Sequence, residues 1–515
     1  MDGVHAPDRG LGRGSAAEGD VEAARQGAHE PAEGIGRVRR VLGDARGDNG
    51  VGGLEEKRTG SAGQDDELAI NAPPDAAGTE EATRLVGGDH RTRRNIAGSY
   101  GRVRAIIASM EVDVRPFDGE PRAFYDAGEL AFGERARDDD FARWERLFEK
   151  DRAIAAFDGD RVVGTAGIFS YGLTVPGGVL PAAGVTIVGV HPTHRRQGIL
   201  RRMMRLQLDA IHDRGEPLAI LWASEGSIYQ RFGYALATLR AGINLDRDRS
   251  AFRLPHRASG TIRFVDADEG ARLFPPVYEA ERAVRPGFFD RTTEYWTTEF
   301  FPDPEHRRRG ASHAFHIVHE TAGEADGYAR YRIRDEWDNA GSKSSLNVVE
   351  LMASNPSARI DLWRFLFDVD LMARVETWNL PPDDPLLLLV SEPRRLRIDI
   401  GDALWLRVVD VAAALAGRRY RADGSIVFAV ADAFCEWNDG TWSLRVEGGV
   451  PYVEAADGAA DLEVDITDLG ATYLGAFTFA ELAQAARVRE VVPGAIERAD
   501  ALFRTDRAPW CPRVF

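Results

Sequence analysis

The chain has 515 residues, 44% hydrophobic and 29% charged, and its 65 basic against 82 acidic residues give a net charge of -17. Such a length suggests three or four globular units, and no apolar run approaches the roughly 18 to 20 residues that a membrane span needs. The charge argues against nucleic acid and weakly favours cationic partners. Two cysteines, Cys435 and Cys511, are too few for a disulfide framework or a four-thiolate metal site; they leave one bridge open and favour a reducing compartment.

Composition changes near Met110. Of 12 Tyr, 24 Phe and 10 Trp only Tyr100 precedes it, whereas 20 of the 53 glycines lie in the first 109 positions. A segment without core anchors cannot offset its ordering entropy. Residues 1–109 are therefore read as disordered, or as an extension upstream of a true start at Met110, with a regulatory tail as the alternative. The opening MDGVHAPDRGLGRG lacks a basic region followed by an apolar stretch, so it is not a secretory signal and the expected location is cytoplasmic.

From Met110 the pattern becomes EVDVRPF, where Val112 and Val114 alternate with charged residues as in a half-buried strand. Residues 122–149 place apolar side chains at helical spacings, which predicts two helices. RAIAAFDGDRVVGTAGIFSYG reads as two strands about Asp158-Gly159-Asp160, and VTIVGV (185–190) as a further, central strand. HPTHRRQGILRRMMRLQLDAIHDRG then carries Leu200, Met204, Leu208 and Ile211 on one helical face with Gly215 as a stop, and LAILWA is the next strand. This order predicts a mixed α/β domain over 110–250. GYARYRIR, LNVVELMA and DLWRFLFDVDLM repeat strand, strand and helix, which predicts a degenerate second copy over 251–400. The remainder, 401–515, reads as an α+β domain.

Arg195-Arg196-Gln197-Gly198-Ile199-Leu200 lies between the buried strand and the amphipathic helix. Free amides and the positive helix terminus can hold a pyrophosphate there, with Gly198 permitting close approach and Arg195 and Arg196 adding charge. The alternative is a basic helix start on a solvated face. There is no Gly-Lys-Ser/Thr, so the turn is not a Walker loop, and one glycine makes no dinucleotide fingerprint.

The pattern V-x-V-x-P-x-x-R-R-x-G before an amphipathic helix, carried by Val188, Val190, Pro192, Arg195, Arg196 and Gly198, resembles the acetyl-CoA motif of GCN5-related N-acetyltransferases (GNAT). The resemblance implies a splayed strand whose amide at Val188 faces the thioester carbonyl and would stabilise the oxyanion. It also implies acetyl-CoA contacts from Val190, Ile199 and Leu200. ASEGSIYQRFGYALAT resembles the family segment in which a tyrosine protonates the departing thiolate, and Tyr229 holds that place. The other reading of Tyr229 is an aromatic core anchor. Tyr234 is assigned to packing. Ser224 either contacts the cofactor or caps the next helix.

Across 110–515 the chain resembles the enhanced intracellular survival (Eis) family of acetyltransferases, through AGVTIVGVHPTHRRQGILRRMM, ASEGSIYQRFGYALAT, ALWLRVVDVAAAL and ATYLGAFTFAELA. The resemblance implies a catalytic GNAT domain, a GNAT-like domain without cofactor, a C-terminal domain similar to sterol carrier proteins, and a homohexamer. It further implies that the terminal carboxylate, here on Phe515, enters the active site to orient or deprotonate a substrate ammonium, and that Trp144 and Glu134 line the substrate pocket. Both of these are equally open to structural roles. Val514 departs from the family's acidic penultimate residue, which counts against equally broad polyamine binding. The expected function is direct acetyl transfer from acetyl-CoA, without metal, to a primary amine of a cationic small molecule of aminoglycoside or polyamine type. The alternatives are a protein-lysine acetyltransferase and a lipid-binding carrier with a vestigial GNAT domain.

Overall fold

The computed structural model describes residues 112–515, so the readings made for residues 1–109 and for a start at Met110 lie outside the described residues. The first sheet begins with β1 (Asp113–Pro116), β2 (Ile154–Asp158), β3 (Arg161–Val175) and β4 (Gly178–Val190), each antiparallel to the one before. Between β1 and β2 lie α1 (Pro121–Phe132) and α2 (Asp138–Trp144). After β4 the chain runs through α3 (Ile199–Asp213) into β5 (Leu218–Trp222), which is parallel to β4. A short α4 (Gly226–Gln230) and β6 (Ala235–Leu236) follow.

The face predicted for α3 is buried at Met204, Leu208 and Ile211, joined by Ile199 and Met203, while Leu200 is half-buried. Full burial of such side chains stabilises by about 1.5–3 kcal/mol each relative to exposure, which ties the helix, and the turn before it, to the sheet.

The second sheet repeats the first. It contains β7 (Leu239–Asp246), β8 (Thr261–Phe264), β9 (Phe315–Thr321), β10 (Glu324–Arg334), β11 (Ser345–Ala353), β12 (Arg374–Leu380) and β13 (Asp399–Asp402), with α5 (Ala267–Arg282) after β8 and α6 (Pro356–Asp368) after β11. Its order is β13-β7-β12-β11-β10-β9-β8, and β11 with β12 is its parallel pair. In the first sheet the order is β1-β2-β3-β4-β5-β14-β6, where β14 is Leu404–Val408. Thus β7 sits beside β12 in the place that β14 takes beside β5, and the two halves exchange a strand. The cuts read from sequence at 250 and 400 are corrected accordingly: by hydrogen bonding, β7 belongs to the second sheet and β14 to the first.

The last part packs α7 (Val411–Gly417), α8 (Ile466–Tyr473), α9 (Phe479–Gln484) and α10 (Ala495–Phe503) with a five-stranded sheet. Cys435 and Cys511 are both buried and free, so the bridge left open by the sequence is not formed. Among the described residues no helix is long and apolar enough to cross a membrane.

Candidate active site

The parallel ladder between β4 and β5 joins only Ala182–Gly184 to Leu218–Ile220, and beyond Gly184 the two strands separate. A bulge opposite Thr165 and Gly167 puts Ile187 at φ 51°, and the Thr165 hydroxyl donates to the Ile187 carbonyl at 2.8 Å. His191 N–H donates to Val163 O at 2.9 Å. Because amides alternate sides along a strand, those of Val190 and Val188 face away from β3 into the gap. The separation of the strands is the splay that the resemblance implies.

Below the gap, Arg196 at φ 63° and Gly198 at φ 76° turn the chain into α3, and no side chain caps the helix. The first amide with a partner four residues back is Arg202, to Gly198 O at 3.1 Å, so those of Ile199, Leu200 and Arg201 have no partner within the helix. A cavity of about 810 Å³ opens here, lined by Val188, Val190, Arg195, Arg196, Gly198, Ile199, Leu200, Ser224 and Tyr229 among others. Every residue expected to bind cofactor is in its wall.

The two arginines differ in their surroundings. The Arg195 guanidinium donates to the carbonyls of Val190 and Ala131, both at 3.2 Å, so it braces the turn against β4 and α1. Arg196 is exposed, and its guanidinium pairs with no group among the described residues. Arg196→Ala is therefore expected to weaken acetyl-CoA binding about tenfold, the cost of one charge-assisted contact, with the melting temperature unchanged. Arg195→Ala should instead lower the melting temperature. Calorimetry of binding beside thermal unfolding of each variant separates the two. Ser224 does not cap α4: the N-cap position is Glu225, and no side chain bonds there.

Tyr229 is buried at 7% exposure and stands edge-on to Tyr234, 6.1 Å between ring centroids. Burial pushes its phenol above the ordinary value, so it holds its proton throughout the neutral range, as a general acid requires. Tyr234 is fully buried and packs in the core.

A second cavity, of about 340 Å³, lies on the other side of the β4 bulge, with Thr186 and Ile187 in its wall. Trp144 and Phe515 line it as expected. Trp144 stacks on Phe148 at 4.3 Å, and its indole N–H is buried without a partner. The Phe515 ring lies 5.1 Å from Tyr171 and 5.4 Å from Phe289, which brings the chain end into the cavity. Glu134 is a correction: it sits on the exposed turn after α1 and lines neither cavity. Gly133, at φ 77°, ends the helix and turns the chain outward before Glu134.

The carboxylates that do line the cavity are Glu129, Asp140, Glu149, Asp290 and Glu299, with Arg307 and Arg513 as cations. Asp140 is bonded to His306 at 2.7 Å and paired with Arg307 at 3.0 Å, and Glu149 accepts from the Ser170 amide at 2.6 Å. Partial burial, followed by the charges of Glu134 and Asp140, holds the Glu129 carboxyl above its usual range. A cation placed beside it would relieve that. Of these residues only Glu129 carries a signal in sequence, one helical turn after Tyr125 on the inward face of α1.

Two tandem α/β domains, each with a parallel pair that separates after three residues and one with an uncapped helix start beside it, define a GNAT-type fold. Family models agree: acetyltransferase (GNAT) domains match residues 116–237 and 287–408, and a sterol carrier protein domain matches 411–512. An uncharacterized N-acetyltransferase from Streptomyces avermitilis is 42% identical over 79% of this chain and 100% of its own length. N-acetyltransferase Eis of Mycobacterium tuberculosis is 36% identical over 70% of this chain and 89% of its own. The crystal structure of Eis1 from Mycobacterium abscessus superposes with a TM-score of 0.68 at 34% identity, covering 78% of this chain and all of that one. The chain belongs to the Eis family of GNAT N-acetyltransferases.

Proposed function

We propose that the chain transfers acetyl from acetyl-CoA directly to a primary amine of a cationic small molecule, of aminoglycoside or polyamine type. The observation that carries this reading is a shared strand: Thr186 and Ile187 of β4 border the carboxylate-lined cavity, and the next three residues, Val188–Val190, border the cavity at the turn. An amine held by the carboxylates meets a thioester held by the turn at that strand. The Phe515 carboxylate takes a proton from the ammonium, and the freed nitrogen attacks the thioester carbon. The oxyanion lies against the Val188 amide; as the C–S bond breaks Tyr229 donates its proton to the thiolate, the amide nitrogen gives up its second proton to solvent, and the phenolate regains one from it.

Trp144, Ser224, Val190, Arg196, Gly198, Ile199 and Leu200 take the binding roles implied by the family, while Arg195 braces the turn. Val514 at the cavity, beside Arg513, makes the chain end less acidic than the family pattern and narrows the range of polycations. A protein lysine is the alternative acceptor; a cavity of about 340 Å³ walled by both domains and the chain end favours a small molecule. The intact turn weighs against a vestigial carrier. We extend to this chain, from the family, a homohexameric assembly and a cytoplasmic site of action.

The test is thiol release from acetyl-CoA in the presence of aminoglycosides, polyamines and lysine-containing peptides. Turnover is expected with small polycations and not with peptides. No turnover with any small amine, or faster turnover with peptides, overturns the reading.

A further inference from the structure

After α10 ends at Phe503, the last twelve residues run without regular structure into the acceptor cavity. From Ala508 to Arg513 their hydrogen-bond partners outside the tail lie in the second domain. Ala508 N–H donates to Asp383 at 3.1 Å and its carbonyl accepts from Arg285 at 2.8 Å, while Trp510 N–H donates to Pro286 O at 2.9 Å. Gly287, at φ 95°, lets the chain pass: a Cβ there would stand 2.8 Å from Trp510 O.

Beyond Trp510 the tail's backbone carbonyls are held by one side chain, and past them Arg513 donates to Glu299 O at 3.3 Å while the Phe515 ring packs on Tyr171 and Phe289. Asn379 Nδ2 donates to Cys511 O at 3.2 Å and to Pro512 O at 2.9 Å, and Asn379 Oδ1 accepts from the Trp510 indole N–H at 2.8 Å. Asn379, Trp510 and Cys511 are all buried. Asn379 is aimed at the tail by a bulge in β12: Thr377 pairs with Ile243 but Leu380 pairs with Ala241, so β12 carries one extra residue between them. All three side-chain bonds of Asn379 go to the last six residues, and none to its own sheet. A side chain needed only for the stability of β12 has no reason for that arrangement.

We propose that Asn379 is a positioning residue for acetyl transfer, which fixes the tail at Pro512 so that the Phe515 carboxylate, three residues on, stays in register with the amine. The cofactor-free domain thereby contributes to the chemistry of the first. The inference rests on the proposed role of the Phe515 carboxylate, and the test separates the two. It follows from the sensitivity of catalysis to placement, where a shift on the order of 1 Å costs up to about 10²-fold.

The experiment uses the full chain with Asn379→Leu, with Trp510→Phe, with two glycines appended after Phe515, and with Asn379→Leu combined with that extension. The substrate is the amine identified by thiol release. Asn379→Leu is expected to lower kcat about tenfold or more and to flatten the acidic limb of the kcat/KM profile, with KM for acetyl-CoA unchanged, because no tail residue lines the cofactor cavity. Trp510→Phe, which removes the indole donor and keeps one aromatic ring, is expected to move in the same direction by less and, read beside its melting temperature, decides the matter if Asn379→Leu does not fold. On the extended chain Asn379→Leu should cost less than about twofold more, since residues acting as one unit are not additive. A harmful extension with wild-type kcat in the folded Asn379 and Trp510 variants overturns the clamp and leaves the carboxylate in place. Fully multiplicative losses also overturn it. A harmless extension overturns the role of the carboxylate, and the clamp with it.

Discussion

Tyr229→Phe is expected to lower kcat by a factor of about 10² to 10⁴ while leaving acetyl-CoA affinity and melting temperature at wild-type values. The ring keeps its place against Tyr234, 6.1 Å away between centroids. The hydroxyl bonds to no group among the described residues, so its removal strands no buried partner. In the proposed mechanism what is lost is the proton that neutralises the leaving thiolate. Burial raises the phenol above its usual value near 10.0; the acid form therefore persists as pH rises, and the alkaline fall in wild-type kcat should begin above that value. Steady-state rates from neutral to alkaline pH, for both proteins, check the two expectations together. Wild-type kcat in the folded variant would return Tyr229 to the core.

The elements that carry the cofactor side are legible because they are local. Strand, turn and helix from Val185 to Asp213 are contiguous, and the spacing of Met204, Leu208 and Ile211 alone orients α3. The second copy departs just as locally: the start of its helix carries Ser357-Ala358-Arg359-Ile360-Asp361, with no glycine turn. There Asn355 caps α6 through Ala358 N–H at 2.9 Å and donates to Asp326 at 2.9 Å, so side chains fill the helix start that an anion would need.

The strand exchange is not legible, since β7 and β14 read as ordinary strands and only their pairing assigns them. Helix α5 escapes pattern reading because Pro275 and Pro276 lie inside it. The carboxylate-lined cavity is mostly hidden for a further reason. Asp290 and Glu299 reach it from the second domain, more than a hundred residues from Glu129, and nothing in their own neighbourhood marks them. The assignment of Glu134 failed by one turn: ten residues before Trp144 is an exposed loop, whereas Glu129 is the acid on the inward helical face.

Gly198→Val is expected to reduce acetyl-CoA affinity by about 10² or more, and the reason can be divided experimentally. Within the protein a Cβ at residue 198 meets nothing within 4 Å, so no packing clash arises. Two costs remain. The backbone is at φ 76°, a left-handed conformation that costs a branched residue on the order of 1–2 kcal/mol, and this falls on folding. The other falls on binding, because the side chain occupies the space through which a pyrophosphate would reach the free amides of Ile199, Leu200 and Arg201. Each charge-assisted bond forfeited there is worth about 1.5–3 kcal/mol. Gly198→Asn distinguishes the costs, since asparagine tolerates the left-handed region yet carries a side chain of similar reach. If approach is what matters, both variants lose affinity, and only Gly198→Val also loses stability. Calorimetry and thermal unfolding on the pair read this directly, and wild-type affinity in both folded variants would take the cofactor away from this turn.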